Sequence, residues 1–458
     1  MSASDERFSL PYLNQARDCI VSTLLKVLAP VPDIPDALWR FAPGSMTYKM
    51  LEWLGHLCGF NPAQVENVLQ DEPGRRALWN LLKSLSEYGV RVPQTLRAPV
   101  SVVWSLSRRC NLRCMHCYQN ASQPSSDELT LEQQLDIVDQ MARAGVSMVV
   151  LSGGEPLMNP DLGRLIERIR ACGMAISIDS NGVLIDRATV ERLKQSGVTS
   201  VELSVDSVDP QSHDRFRGLD GAFGKTLQAL EICSEAGMFT TVATTATALN
   251  YAESGELILL ARNHGADRVV FFDLIPAGRG REIEDLRLSR HQLLDLMALV
   301  KRESTRNGIE VFTELPQYVV YSSSGDGFSA NRADRALSVE RFTVSTFFDC
   351  TGHDNPYRKY ASYLGGCPAG RVYCNIQPNG DVTPCMFMPD YPVAGNLKTQ
   401  TFEEIWNSPT FQALRDRTRL RGKCRTCTFT IICGGCRAKA AAYEGDYLAS
   451  DPTCPIQN

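Results

Sequence analysis

The sequence predicts an α/β protein: a partial, TIM-like (βα)6 barrel with a helical region before it and a small cysteine-rich domain after it. Three observations carry this. Between residues 99 and about 310, six short β-branched runs alternate with helical patterns, which implies parallel βα units. Before residue 99, apolar residues recur only at helical spacing. After residue 366, eight cysteines crowd into fewer than a hundred residues.

Residues 1–98 are expected to be helical. Ile20, Leu24, Val27 and Leu28 share one face, as do Met46, Met50, Leu54 and Leu57, and then Leu78, Leu81, Leu82 and Leu85. Prolines at 30, 32, 35, 43, 62 and 73 separate these segments. Amphipathic helices of this kind fit a cap packed on the core; a docking module for a substrate or a membrane surface is the alternative. Residues 99–320 form the barrel. Strands are expected near 102–106, 148–151, 174–179, 200–205, 239–245 and 268–273, and Thr130-x-x-Gln133 reads as a capping box opening the helix at 131–144. Six units are fewer than the eight that close a TIM barrel, so the barrel stays open. Residues 321–366, rich in Ser, Gly, Asn and Asp, bridge to the last region as a long loop, and loops of that length are either functional or disordered. Residues 367–458 are too few for a large core and are expected to be stapled by metal.

Composition excludes several classes. With 43% hydrophobic and 22% charged residues, the 458-residue chain can bury a core of two or three domains. A formal charge of −5 offers no global attraction to nucleic acid or anionic lipid. No apolar run reaches the roughly 20 residues of a membrane span, and MSASDERFSL lacks the apolar stretch of a secretory signal. Of sixteen cysteines, three fall in 110–117 and eight in 367–454. Such clumping points to metal or cluster ligation rather than disulfides, and to a reduced, cytoplasmic protein.

The stretch RRCNLRCMHCYQNAS holds Cys110, Cys114 and Cys117 in the spacing C-x3-C-x2-C. A cubane iron–sulfur cluster has one cysteine on each of four irons, so three leave one iron open to a small molecule. Closed zinc sites need four ligands, and His116 is the one nearby candidate for a fourth. The loop follows the first predicted strand, at the barrel mouth where βα folds place active sites.

In that position the loop resembles the signature of the radical S-adenosylmethionine (SAM) superfamily. LSGGEP, with Gly153, Gly154 and Glu155 after the second strand, resembles its glycine-rich element at the methionine amino group. SIDSNG, with Ser180 and Asn181, resembles the ribose-contacting segment. ELSVDS, with Ser204 and Asp206, and HDRFRG, with Arg217, resemble further cofactor-facing segments. The resemblance implies that SAM occupies the open iron of a [4Fe-4S] cluster held by Cys110, Cys114 and Cys117. One electron then yields a 5′-deoxyadenosyl radical that takes hydrogen from an unactivated C–H bond.

The C-terminal cysteines, GDVTPC (380–385) and CRTCTFTIICGGC (424–436) among them, resemble the SPASM extension of a large subgroup of these enzymes. That implies two auxiliary [4Fe-4S] clusters, one on Cys367, Cys374, Cys385 and Cys436, the other on Cys424, Cys427, Cys433 and Cys454. A single cluster, or zinc in the C-x2-C pair, is the alternative. Of the remaining cysteines, Cys19, Cys58, Cys172 and Cys233 lie in helical patterns as small hydrophobes, and Cys350 sits in the long loop beside His353.

The substrate is less constrained. Sulfatase-activating relatives carry an acidic base after the cysteine of G-x4-C, where this chain has Met386. FFDLIPAGRGRE and CGGCRAKAAAYEGDYLASDPTC are similar to enzymes of haem d1 and alternative haem synthesis, which act on porphyrin propionate or acetate groups. A tetrapyrrole side chain is therefore placed first, a ribosomal peptide second and a lipid third. An electron-transfer protein is the non-enzyme alternative, although a relay gains nothing from an open iron. The resemblance also implies an electron donor such as flavodoxin or ferredoxin. No nucleic acid and no transmembrane segment are expected, and the N-terminal helices leave peripheral membrane contact open. The run Arg415, Arg417, Arg419, Arg421, Lys423 and Arg425 reads as a solvated face, with substrate or partner carboxylates as the alternative.

Overall fold

The structure, a computed structural model, describes residues 70–89, 91–304, 308–323 and 365–456, with positions 49 and 66. The predicted helix at 20–28, that at 46–57 except position 49, nearly all of the 321–366 bridge, and Cys19, Cys58 and Cys350 lie outside the described residues.

Helix α1 (Glu72–Tyr88) starts at Asp71, whose carboxylate accepts from the Gly74 amide. It docks against the barrel: Arg76 donates to the carbonyls of Val146 and Ala142, and Asn80 to that of Ala98. The described part of the N-terminal region is thus a cap on the core. Strands β1 (Ser101–Ser105), β2 (Met148–Ser152), β3 (Ala175–Ser180), β4 (Ser200–Ser204), β5 (Phe239–Ala246) and β6 (Arg268–Asp273) follow in parallel order, close to the predicted runs. A seventh parallel strand, β7 (Glu310–Thr313), extends the predicted six. Its four residues are too few to stand out in sequence. Between β1 and β2, helix α2 (Leu131–Ala144) opens with the predicted capping box, Thr130 and Gln133 exchanging side-chain bonds with each other's amides.

The C-terminal region does not stand apart. Its strand β8 (Tyr373–Ile376) pairs in parallel with β1, and β9 (Asp381–Thr383) and β10 (Gly395–Asn396) add antiparallel ladders, so one ten-stranded sheet runs β10-β9-β8-β1-β2-β3-β4-β5-β6-β7.

Parallel strands must be covered on both faces, which is why SVVWS and MVVLS read as nearly continuous apolar runs. Helices cover the outer face, burying Val102, Trp104, Leu151, Ile178 and Phe271 among others, each worth roughly 1.5–3 kcal/mol. On the inner face, Val103 of β1, Val150 of β2, Ala175 of β3 and Ile275 just after β6 meet Cys367, Tyr373, Cys385 and Ala438 in one cluster. In a flat sheet β1 and β6 would stand about 24 Å apart, five strand spacings. That residues from both ends share one buried cluster with the C-terminal region means that the sheet curves around that region, which fills its concave side.

Candidate active site and cluster sites

The Cys110–Cys117 loop leaves β1 at the barrel mouth and is fastened from three sides. The glycine element after β2 pairs with it: the Gly154 amide donates to Ser107 O at 2.8 Å and the Glu155 amide to Arg109 O at 2.9 Å. A Cβ on Gly154 would stand 2.1 Å from Arg109 O, and one on Gly153 2.8 Å from Ser107 O, so glycine is what permits the approach. After β6, Arg279 donates to Cys114 O, Asn120 Oδ1 and Ala121 O. A Cβ on neighbouring Gly278 would lie 2.4 Å from Cys117 O. The AGRG segment is therefore a clamp on the cysteine loop, a role that the sequence did not reveal.

The third fastening is a polar lattice across the mouth. Glu155 accepts from Ser180 Oγ at 2.9 Å and from the Asn181 amide at 2.9 Å, and Asn181 Nδ2 donates to Asn111 Oδ1 at 2.8 Å. Burial pushes the Glu155 carboxyl up to about 7 against these donors. Ser180 and Asn181 thus hold the loops after β1, β2 and β3 together. Asn111 belongs to the same lattice and went unrecognised in the sequence because its partner is 70 residues away.

Arg217 and Asp206 form a buried ion pair at 2.6 Å, and Arg217 Nη1 reaches Cys114 Sγ at 3.8 Å. Burial alone would raise the Asp206 carboxyl, but Arg217, His116, His213 and the Thr245 amide together outweigh it and hold it below its ordinary value. Asp206 therefore positions Arg217 against the cysteine loop. Ser204 ends β4 on the inner face and is half-buried. His116 stacks on Phe216 at 4.4 Å, and burial drives its pKa down to about 3. The stack occupies the face of the ring, and its Nδ1 is buried with no hydrogen-bond partner among the described residues.

The donor set fits an iron–sulfur cluster. Cys110, Cys114 and Cys117 are free thiols that face one another closely enough for the ionisation of one to oppose that of the others. Cys110 Sγ accepts from the Leu112 amide and Cys117 Sγ from the Ala121 amide, both at 3.4 Å. Burial pushes the free Cys110 thiol up to about 12, so a cationic group must bind before it can serve as a thiolate.

The C-terminal thiols separate into two groups. Cys385 and Cys436 each feel the charge of Cys367. Cys433 feels Cys454 and Cys424, and Cys427 belongs to the same 424–436 segment, its Sγ accepting from the Phe429 amide. Cys374 is where structure and expectation part. It faces outward from β8 into the core with Val102 and Phe411, while its neighbour Tyr373 faces inward and donates to Cys385 Sγ at 2.6 Å. Strand alternation puts adjacent side chains on opposite faces, so Cys374 does not join Cys367, Cys385 and Cys436.

The inner face of the sheet is mixed in character. Register places Asp179, Glu202, Thr241, Arg268 and Glu310 in one row across β3–β7. Arg268 is bound by Glu310 between Phe239 and Phe312, plugging the far end. The Glu202 carboxylate accepts no hydrogen bond from any described residue, and that of Asp179 shares one with Ser152. Burial, then their mutual charge, raises the Glu202 carboxyl well above its ordinary value; burial likewise raises Asp179. Phe387 meets Tyr118 at 5.1 Å and Phe272 at 5.9 Å, an aromatic wall from the Cys117 loop to the Cys385 loop. The basic run divides: Arg415 stacks on Trp406 at 4.1 Å and Arg417 is buried, whereas Arg421 sits outside with Asp446.

Comparison with known proteins gives this geometry its context. The sequence model of the radical SAM superfamily matches residues 104–261, and that of an iron–sulfur cluster-binding domain, SPASM, matches 367–428. The AdoMet-dependent heme synthase of Methanosarcina barkeri is 31% identical over 359 residues, covering 78% of this chain and 96% of that protein. The pre-heme d1 synthase of Dinoroseobacter shibae is 31% identical over 375 residues, 80% of this chain and 88% of its own. The mycofactocin maturase of Mycobacterium ulcerans is 31% identical over 368 residues, 78% and 88%. Streptococcus suis SuiB bound to precursor peptide SuiA superposes with a TM-score of 0.61 at 20% identity, over 87% of this chain and 82% of that one, a likeness of fold. No described helix is long and apolar enough to cross a membrane. A three-thiol loop clamped at the mouth of a parallel barrel, glycines at its contact points and a thiol-rich domain in its lumen agree with these matches: the chain belongs to the radical SAM superfamily, among its enzymes with a C-terminal SPASM domain.

Proposed function

We propose that the chain removes hydrogen from a carboxylate-bearing side chain of a tetrapyrrole. The observation that carries this is the match to the heme synthase over 96% of its length. Cys110, Cys114 and Cys117 would hold the cluster, and SAM bound there would supply, on one-electron reduction, the species that takes hydrogen from the substrate. This chain's residues hold and shield the reactants. Glu155, Ser180, Asn181 and Asn111 fix the mouth, Asp206 aims Arg217, and the plugged lumen keeps water out. The wall of Tyr118, Phe387 and Phe272 suits the edge of a flat macrocycle. With their carboxyls raised, Asp179 and Glu202 retain a proton and can donate to a substrate carboxylate. Met386, where sulfatase-activating relatives have an acid, leaves no base for a serine or cysteine substrate at that position.

One cluster is proposed on Cys424, Cys427, Cys433 and Cys454, and another on Cys367, Cys385 and Cys436 with one position left for a further ligand. A flavodoxin or ferredoxin is the proposed electron donor. A peptide substrate is the second reading, favoured by the likeness to mycofactocin maturase and by the acid pair, which also suits a cationic side chain.

The test is anaerobic turnover with reductant, SAM and either an iron porphyrin bearing propionates or candidate precursor peptides. Porphyrin-dependent 5′-deoxyadenosine with a changed side chain is expected. Turnover stimulated by peptide alone would overturn the tetrapyrrole reading.

A further inference from the structure

Two guanidinium groups lie deep in the C-terminal region with no carboxylate at ion-pair distance among the described residues. Arg417 is 3% exposed and Arg437 0%. Arg437 donates to the carbonyls of Gly435, Tyr447 and Ala449, and its Nη2 reaches Cys424 Sγ at 3.5 Å. Arg417 donates to Cys367 O at 3.3 Å, and its Nε has no hydrogen-bond partner. Carbonyl dipoles do not neutralise a full charge, and a buried charge without a counter-charge is strongly destabilising.

The CGGC segment is shaped around these side chains. Gly434 and Gly435 have φ of 73° and 65°. A Cβ on Gly434 would stand 2.1 Å from Arg417 Nη1, and one on Gly435 2.7 Å from both Arg437 Nη2 and Cys424 Sγ. Two successive glycines thus admit two guanidiniums to the inner side of a cysteine loop. The negative charges acting on Arg417 are those of sulfur, Cys367 first and then Cys433 and Cys424, while the buried Asp451 beside Gly435 is held by Gln317 and the Cys436 amide.

We propose that Arg437 and Arg417 are built-in counter-charges of the auxiliary clusters, Arg437 of the one on Cys424, Cys427, Cys433 and Cys454 and Arg417 of both that cluster and the one on Cys367, Cys385 and Cys436, and that they raise the reduction potentials. The inference rests on reading those cysteines as cluster ligands. A cubane held by four thiolates is anionic and gains one more negative charge on reduction. Fixed positive charge in a low-dielectric site therefore stabilises the reduced form more than the oxidised one. In the apo-protein the same guanidiniums are a liability, so this domain is built to be stable only when loaded.

The test uses the full chain, reconstituted anaerobically, on a Cys110/Cys114/Cys117→Ala background that leaves only auxiliary clusters. Arg417→Met, Arg437→Met and the lysine variants of both are titrated with EPR detection, iron content being measured on each sample. Each methionine variant is expected to lower the reduction equilibrium constant by tenfold or more, about 59 mV for a one-electron couple, with lysine restoring most of it. Unmoved potentials at full iron loading would overturn the proposal. If a variant loads poorly, the iron-free proteins decide. Apo Arg437→Met more resistant to urea than apo wild type supports the counter-charge role, and lower resistance overturns it. An iron content in the parent showing no auxiliary cluster would instead sink the ligand reading itself.

Discussion

Replacing Gly154 with alanine tests whether contact between the glycine element and the cysteine loop holds the first cluster. Gly154 has an ordinary backbone φ, so the effect is one of space alone. The added Cβ would lie 2.1 Å from Arg109 O and 2.7 Å from Arg109 C, whereas ordinary contact begins at 3.4 Å. The loop must retreat by about 1.3 Å, the difference of those two distances, and backbone atoms cannot swing aside as a side chain would. Overpacking of this kind costs about 1–3 kcal/mol. Two ladder bonds, from the amides of Gly154 and Glu155, would also weaken, each worth about 0.5–1.5 kcal/mol net. The total of about 2–6 kcal/mol falls one residue from Cys110. Iron should drop from about twelve to about eight per chain, four per cubane. The rate of 5′-deoxyadenosine formation should fall by about a hundredfold or more, as for a misplacement near 1 Å. Gly224→Ala is the control: nothing lies within 4 Å, and within its helix (Ala222–Glu235) alanine should add about 0.8–1 kcal/mol of stability. Wild-type iron and rate in Gly154→Ala would refute the reasoning.

Two further outcomes follow from the same geometry. Cys374→Ala should keep the iron content of wild type, its side chain being packed in the outer core, whereas Cys385→Ala should lose about four irons; equal losses in both would return Cys374 to the ligand set. Asp179 has a folded pKa of about 7 against an ordinary 3.8, so the stability it contributes is complete below 3.8 and lost as pH rises through 7. Apo wild type should therefore lose more urea resistance than Asp179→Asn between pH 5.5 and 8, and parallel curves would show that the carboxyl is not held neutral.

The radical SAM signature was legible because its determinants are local. Three cysteines within eight residues, glycines after a strand, and SIDSNG after the next are short patterns whose position in an alternating βα chain is itself informative. Six strands were readable for the same reason, since parallel strands buried on both faces appear as apolar runs. The capping box at Thr130 and Gln133 likewise needs only four consecutive residues.

What depended on three-dimensional placement went unseen or was misread. Asp206 and Arg217 both stood out as cofactor-facing, yet their first partner is each other, a pairing set by how β4 and the following helix meet. Arg279 clamps a loop 165 residues away at Cys114 O, and no local pattern announces it. Cys374 has the right residue type and spacing for a ligand, but a strand's two-residue period turns it away from Cys367 and Cys385. Sequence alone determined the chemistry that the chain is equipped for, because thiols, glycines and strand periodicity are properties of short segments. Which side chains converge on that chemistry, which serve as its counter-charges and which merely fill the core was decided by the curvature of one sheet around its own C-terminal domain.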